Sequence, residues 1–203
     1  MKKFILLSAV IFIILLTGCS NNSIENNLNE IPFQKLSSKE TGIDFSNTIT
    51  PNLETKENLF DYDYFYNGSG VGIADLNNDG LKDVFFSSNQ LPNKLYLNKG
   101  ELRFEDITEK SNINQNKGWS SGVTFADVNN DGWLDIYISQ GGPFNQTKRK
   151  NTLLINNKDL TFTENASLYG LDDQGISTQS AFFDFDKDGD LDCVVMNENE
   201  FYG

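Results

Sequence analysis

One nine-residue stretch occurs three times in this 203-residue chain and concentrates 11 of its 29 carboxylates. It reads Asp75-Leu-Asn-Asn-Asp79-Gly-Leu-Lys-Asp83, then Asp127-Val-Asn-Asn-Asp131-Gly-Trp-Leu-Asp135, then Asp184-Phe-Asp-Lys-Asp188-Gly-Asp-Leu-Asp192. The shared pattern is D-x-D/N-x-D-G-x-x-D, with oxygen-bearing side chains at positions 1, 3, 5 and 9 and glycine at 6. Alternate carboxylates and amides around a sharp turn suit a hard cation, and calcium takes six to eight oxygens at about 2.3–2.6 Å. The expected ligands are Asp75, Asn77, Asp79 and Asp83; Asp127, Asn129, Asp131 and Asp135; and Asp184, Asp186, Asp188 and Asp192. The backbone carbonyls at position 7 (Leu81, Trp133 and Asp190) complete each set. The third loop, with aspartate at positions 1, 3, 5 and 9, should bind tightest, while Lys82 should weaken the first.

An EF-hand shares the first half of this loop but needs a bidentate glutamate at position 12 between helices. Position 12 here is Phe86, Ile138 and Val195, so the EF-hand is excluded. Asn/Asp/Gly clusters also form turns without metal; three copies in one register argue for the cation. Catalysis by carboxylates already engaged as ligands is not expected. The chain has no histidine, which removes imidazole acid–base chemistry and the usual ligands of catalytic zinc. A net charge of −13 argues against a nucleic-acid partner. Two cysteines leave little scope for disulfides, and Cys193, in an apolar run, reads as a buried structural thiol.

The loops must be held by flanking elements, and these read as strands. Val71–Ala74, Val123–Ala126 and Ala181–Phe183 enter the loops; Val84–Phe86, Ile136–Ile138 and Cys193–Val195 leave them. Short β-branched and aromatic runs bounded by Gly, Asn and Asp are strand signals, and their unbroken apolarity implies burial on both faces. Two further anchors repeat: Asn93-Lys-Leu-Tyr-Leu-Asn98 with Asn151-Thr-Leu-Leu-Ile-Asn156, and Phe104-Glu-Asp-Ile-Thr108 with Phe162-Thr-Glu-Asn-Ala166. The spacing from the first anchor to the second is 11 residues in both copies. Each unit therefore has four strands, and no segment shows a helical period. The expectation is all-β: a partial β-propeller of four-stranded blades with calcium-binding hairpin loops. Phe33-Gln-Lys-Leu-Ser37 repeats the last strand of a unit and reads as the strand that closes a ring. Two complete units and part of a third fall short of the four to eight blades of a propeller. The chain thus reads as the N-terminal piece of a longer protein. Phe60-Asp-Tyr-Asp-Tyr-Phe-Tyr66 carries five aromatics that either pack the first blade or form a stacking platform for sugar rings; packing is the expected role.

Residues 1–18 read as an export signal: Lys2 and Lys3 precede an uncharged run from Phe4 to Leu16, too short to span a bilayer comfortably. Leu16-Thr-Gly-Cys19 resembles a bacterial lipobox, which implies cleavage before Cys19 and its lipidation. Ser20 beside it is similar to lipoproteins sorted to the outer membrane. Residues 19–31 are polar and Asn-rich, and read as a flexible tether.

The loops, the Asn-x-Leu strands and Tyr64-Phe-Tyr-Asn-Gly-Ser-Gly-Val-Gly-Ile-Ala-Asp75 together resemble FG-GAP/VCBS repeat proteins. More narrowly, they look like bacterial lipoproteins, common in Bacteroidetes, in which such repeats precede an ASPIC/UnbV domain. The resemblance covers residues 32–203 and implies integrin-α-like propeller blades with calcium in each hairpin. The function expected is a non-catalytic, calcium-stabilised outer-membrane scaffold for binding or adhesion. Its lipid anchor would be Cys19, and its ligand an unidentified protein or glycan. The alternative is the propeller module of a surface enzyme acting on polysaccharide or peptide, with its catalytic residues beyond Gly203.

Overall fold

Ten strands form among the residues described in this computed structural model, which are 33–115, 118–143 and 149–198. Residues 1–18, Cys19 and residues 19–31, which carry the export-signal, lipidation and tether readings, lie outside them. The chain divides into residues 1–35, of which only 33–35 are described, and Leu36–Gly203, which contains everything below. No helix among the described residues is long and apolar enough to cross a membrane.

Strands β1 (Val71–Ala74), β2 (Asp83–Phe86), β3 (Lys94–Asn98) and β4 (Phe104–Asp106) make the first antiparallel sheet, in that order. Strands β5 (Trp119–Ala126), β6 (Asp135–Gly141), β7 (Thr152–Asn156) and β8 (Phe162–Glu164) repeat it. Strands β9 (Ile176–Phe183) and β10 (Asp192–Glu198) form a third, two-stranded sheet. The predicted four-strand unit is therefore present twice, with the acidic loop always joining its first two strands. The pairs Ala74–Asp83, Ala126–Asp135 and Phe183–Asp192 set one register for all three hairpins.

The sheets stack by alternating which face each residue presents. On β5, Val123 and Phe125 point back to the first sheet, where they crowd the hydrogen of Gly72. Thr124 points forward, its hydroxyl donating to the Ser180 carbonyl at 2.9 Å. On β6, Ile136 and Ile138 join Phe85, Leu95 and Leu97 in a core between sheets one and two. Tyr137, between them in sequence, faces the third sheet and meets Phe182 edge-on at 5.5 Å. Burial on both faces therefore holds for β6, as its unbroken apolarity implied.

It fails for β1 and β10. Val71 and Ile73 are 58% and 65% exposed, and Val194 and Met196 are 54% and 63% exposed, because no sheet covers those outer faces among the described residues. Cys193 is half-buried rather than enclosed, and burial pushes its thiol pKa up.

A hydroxyl clip repeats at each junction. Ser69 donates to the Ser120 carbonyl at 2.5 Å, and Ser121 donates to the Ser177 carbonyl at 2.6 Å. Ser69 and Ser121 each lie six residues before the first aspartate of their hairpin. Ser121 sits in a β-bulge, which aims its side chain out of the ladder toward the next sheet. Glycine at 122 is required beside this clip: a Cβ there would meet the Thr178 carbonyl oxygen at 2.6 Å and the Gln179 side chain. Gly122→Ala is thus expected to cost about 1–3 kcal/mol by forcing the sheets apart. Urea unfolding measures this, and an unchanged midpoint would contradict so close a junction.

Two expectations need correction. Phe33–Ser37 forms no strand, since it pairs with no sheet among the described residues. The chain instead enters α1 (Ser38–Thr41), capped by Ser37 and Glu40 in a reciprocal box. A second single-turn helix, α2 (Thr108–Ser111), follows β4. A helical period cannot show in four residues, although Ser37-x-x-Glu40 was a capping signal. The segment after α1 covers part of sheet one: Phe45 stacks on Phe86 at 4.8 Å, and Tyr96 donates to Asp44 at 2.9 Å.

Candidate metal centre

Each acidic hairpin is shaped first by its own backbone donors. In loop one the two oxygens of Asp75 accept the N–H groups of Asp79 (3.2 Å) and Gly80 (2.8 Å). In loop two Asp127 receives Asp131 (2.9 Å) and Gly132 (2.7 Å) in the same way. The carboxylate at position 5 accepts from the N–H at position 7: Leu81 to Asp79 at 2.8 Å, Trp133 to Asp131 at 3.0 Å and Asp190 to Asp188 at 3.1 Å. Left-handed backbone at positions 4 and 6 makes this tight wrap possible. Asn78, Asn130 and Lys187 have φ of 57°, 54° and 66°, and Gly80, Gly132 and Gly189 have φ of 87°, 84° and 98°. Asparagine tolerates that region better than most residues and glycine best of all.

Position 9 does something different. Asp83 and Asp135 are buried, and each spreads its two oxygens over two backbone donors. Asp83 accepts from Leu76 N (3.0 Å) and Asn98 N (2.9 Å); Asp135 accepts from Val128 N (3.0 Å) and Asn156 N (2.8 Å). This residue ties the loop to the third strand of its own sheet. Desolvation raises the pKa of both carboxyls, against the pull of those N–H donors. Each oxygen still has a lone pair free for a cation. Asp192 repeats the loop half of the clamp, accepting from Phe185 N at 2.7 Å.

Asn98 and Asn156 are the functional residues that spacing alone did not explain. Besides their N–H bonds to position 9, Asn98 donates its amide to the Lys82 carbonyl at 2.8 Å, and Asn156 donates to those of Leu134 (3.1 Å) and Leu76 (2.8 Å). They end the repeated Asn-x-Leu-x-x-Asn anchor, so the signal was present without its role. Lys158 is a second addition, pairing with Asp131 at 3.3 Å across loop two.

In loop three one carboxylate oxygen each from Asp184, Asp186 and Asp188 lies within 4.8 Å of the others. Oxygens sharing one calcium at about 2.3–2.6 Å stand no farther apart than roughly twice that length, so the trio fits a single ion. Loops one and two offer asparagine at position 3, with the Asn77 and Asn129 amides donating to Asp79 (2.9 Å) and Asp131 (3.0 Å). The Leu81 N–H and the Asn77 amide hold the Asp79 carboxyl below its ordinary range. Asp190 goes the other way, raised by its hydrogen bond to Asp188 and by repulsion from that group and its neighbours. Five aspartates in nine residues leave loop three with the most charge for a cation to neutralise.

Comparison of sequences relates this chain to known proteins. Residues 64–138 match the FG-GAP-like repeat. The match runs from the aromatic segment before β1 to the middle of β6, and so takes in loops one and two. The chain is also similar to cartilage acidic protein 1. It is 30% identical to the Xenopus tropicalis protein over 131 residues, 64% of this chain and 20% of that one. It is 28% identical to the Mus musculus protein over 135 residues, 64% of this chain and 21% of that one. The human protein aligns over 77 residues at 31% identity, covering 37% of this chain and 12% of its own length. The chain therefore spans about a fifth of the length of the first two relatives.

Proposed function

We propose that this chain is a non-catalytic, calcium-stabilised binding and adhesion scaffold whose sheets are blades of a β-propeller. The observation that carries the reading is one acidic hairpin in the same register at three successive sheets, the first two of them within the FG-GAP-like match. Asp75, Asn77, Asp79 and Asp83, and their counterparts in the other loops, would hold calcium with the position 7 carbonyls. Bound there, the ion supplies no reaction step; it offsets carboxylate repulsion and fixes the turn. The uncovered faces at Val71/Ile73 and Val194/Met196 are where further blades would stack. The lipobox-like Leu16-Thr-Gly-Cys19 supports anchoring to the outer membrane through a lipid on Cys19.

Thermal melting in calcium and in excess EDTA tests the scaffold. Calcium at a hundred times its Kd contributes about 2.7 kcal/mol per site. At about 2–4 °C per kcal/mol, Tm should fall by roughly 5–10 °C per emptied site. An identical melt in chelator would sink the proposal.

A further inference from the structure

The seven residues from Phe60 to Tyr66 divide their aromatics between two jobs. Phe65 is fully buried, its ring 5.4 Å from that of Trp119, and Tyr62 meets the same tryptophan edge-on at 5.9 Å. Those two anchor the segment, as packing predicted. Phe60 is 91% exposed, and Tyr64, held edge-on against Tyr62 at 5.9 Å, is still 46% exposed. The backbone that presents them is firmly tied. The buried Asn58 accepts from the N–H groups of Phe60 (2.9 Å) and Asp61 (3.2 Å) and donates to the Asp61 carboxylate at 2.7 Å. Tyr62 N bonds to the Asn58 carbonyl at 3.0 Å, and Phe65 N to that of Tyr62 at 3.1 Å. Rigid aromatics held in solvent are a feature of binding surfaces rather than of cores.

They border a cleft of about 380 Å³ whose walls also include Asp61, Asp63, Arg149 and Glu198. A smaller hollow of about 170 Å³ shares Tyr62, Tyr64 and Glu198 and continues toward Ser69 and Thr178. Every strand that contributes does so at the end away from its acidic hairpin, the start of β5 and β9 and the end of β10, joined by Gly142 and Pro143 just past β6. The cleft is thus separate from the candidate metal loops. Its size lies within the range of small-molecule sites. We infer that this aromatic cleft binds a neutral oligosaccharide, with a sugar ring lying on Tyr64 and its hydroxyls paired to the carboxylates and guanidinium of the walls.

The lining chooses this occupant. Three carboxylates disfavour an anion, and Arg149 on the same wall disfavours a simple cation. A purely apolar ligand would strand those groups without water. A sugar has a C–H face for a tyrosine ring and hydroxyls that both donate and accept. Burial, and then the Glu198 charge, push the Tyr62 phenol up to about 12; like any tyrosine it carries its proton at neutral pH and can donate.

The inference rests on the scaffold reading, and the two fail separately, because the chelator melt needs no sugar. Calorimetric and NMR titrations of the full chain would use xylohexaose, cellohexaose, laminarihexaose, mannohexaose and hexa-N-acetylchitohexaose, with tetramethylammonium chloride as the cation. At least one oligosaccharide is expected to bind with a Kd of about 1 mM or tighter. Tyr64→Ala should weaken it by about tenfold or more and Tyr64→Phe by much less, with the calcium-dependent melt unchanged in both. Phe185→Ala, at the opposite rim, should leave binding as it was. Three results would each overturn the inference: no oligosaccharide binding, binding indifferent to Tyr64→Ala, or tetramethylammonium bound more tightly than every sugar.

Discussion

Asp135→Ala should destabilise the protein by about 2–5 kcal/mol whether or not calcium is present. The side chain is 1% exposed, and its removal strips two backbone donors, Val128 N and Asn156 N, of their acceptor. Each buried donor left unpaired costs about 1–3 kcal/mol. Asp131→Asn, in the same loop, should behave in the opposite way. Its retained oxygen can still accept from Trp133 N, and only the exposed Lys158 pair and the Asn129 bond on the other oxygen are lost, so stability in EDTA should fall by no more than about 1 kcal/mol. What it should lose is much of the extra stability that calcium confers through loop two. Urea titrations of both variants, with calcium and with chelator, make a four-way comparison. If Asp135→Ala were as stable as the parent in EDTA, position 9 would be a ligand and nothing more.

Phe85→Ala should cost about 3–5 kcal/mol, the usual range for deleting a buried phenylalanine. The residue is fully buried on the face of sheet one that meets sheet two, in one cluster with Val123, Ile136 and Ile138. Its loss should therefore also weaken elements that are far away in sequence. Hydrogen exchange should show faster amides in β6 as well as in β2, in one cooperative step. Acceleration confined to sheet one would mean that the sheets unfold as independent units.

Strand positions were legible because the signal for them is local. Val71–Ala74 was read to the residue, and the hairpin register followed from where the aspartates fall. Lengths were less legible: β5 and β9 extend to eight residues. Their early parts, such as Ser120-Ser-Gly122, are polar or small and take part because a neighbouring sheet bonds to them. Position 9 was read as a ligand because a carboxylate at the end of an acidic loop looks the same whether it faces a cation or two N–H groups. Only the third strand, brought alongside by pairing, supplies Asn98 and Asn156. The aromatic run was ambiguous for a similar reason. Five rings in seven residues cannot all face one way, and which ones turn inward depends on Trp119, more than fifty residues later.

The strands that part the acidic hairpins from the opposite rim also act as an insulator. β5 has eight residues, about 26 Å at 3.3 Å each, whereas mobile ions screen charge over about 8 Å at physiological salt. A molecule resting on Tyr64 would hardly sense whether the far loops carry their full negative charge or have been neutralised. Communication between the rims would have to travel as stiffness in the hydrogen-bonded ladders. A change of charge at one end of these sheets would therefore leave a ligand bound at the other almost undisturbed.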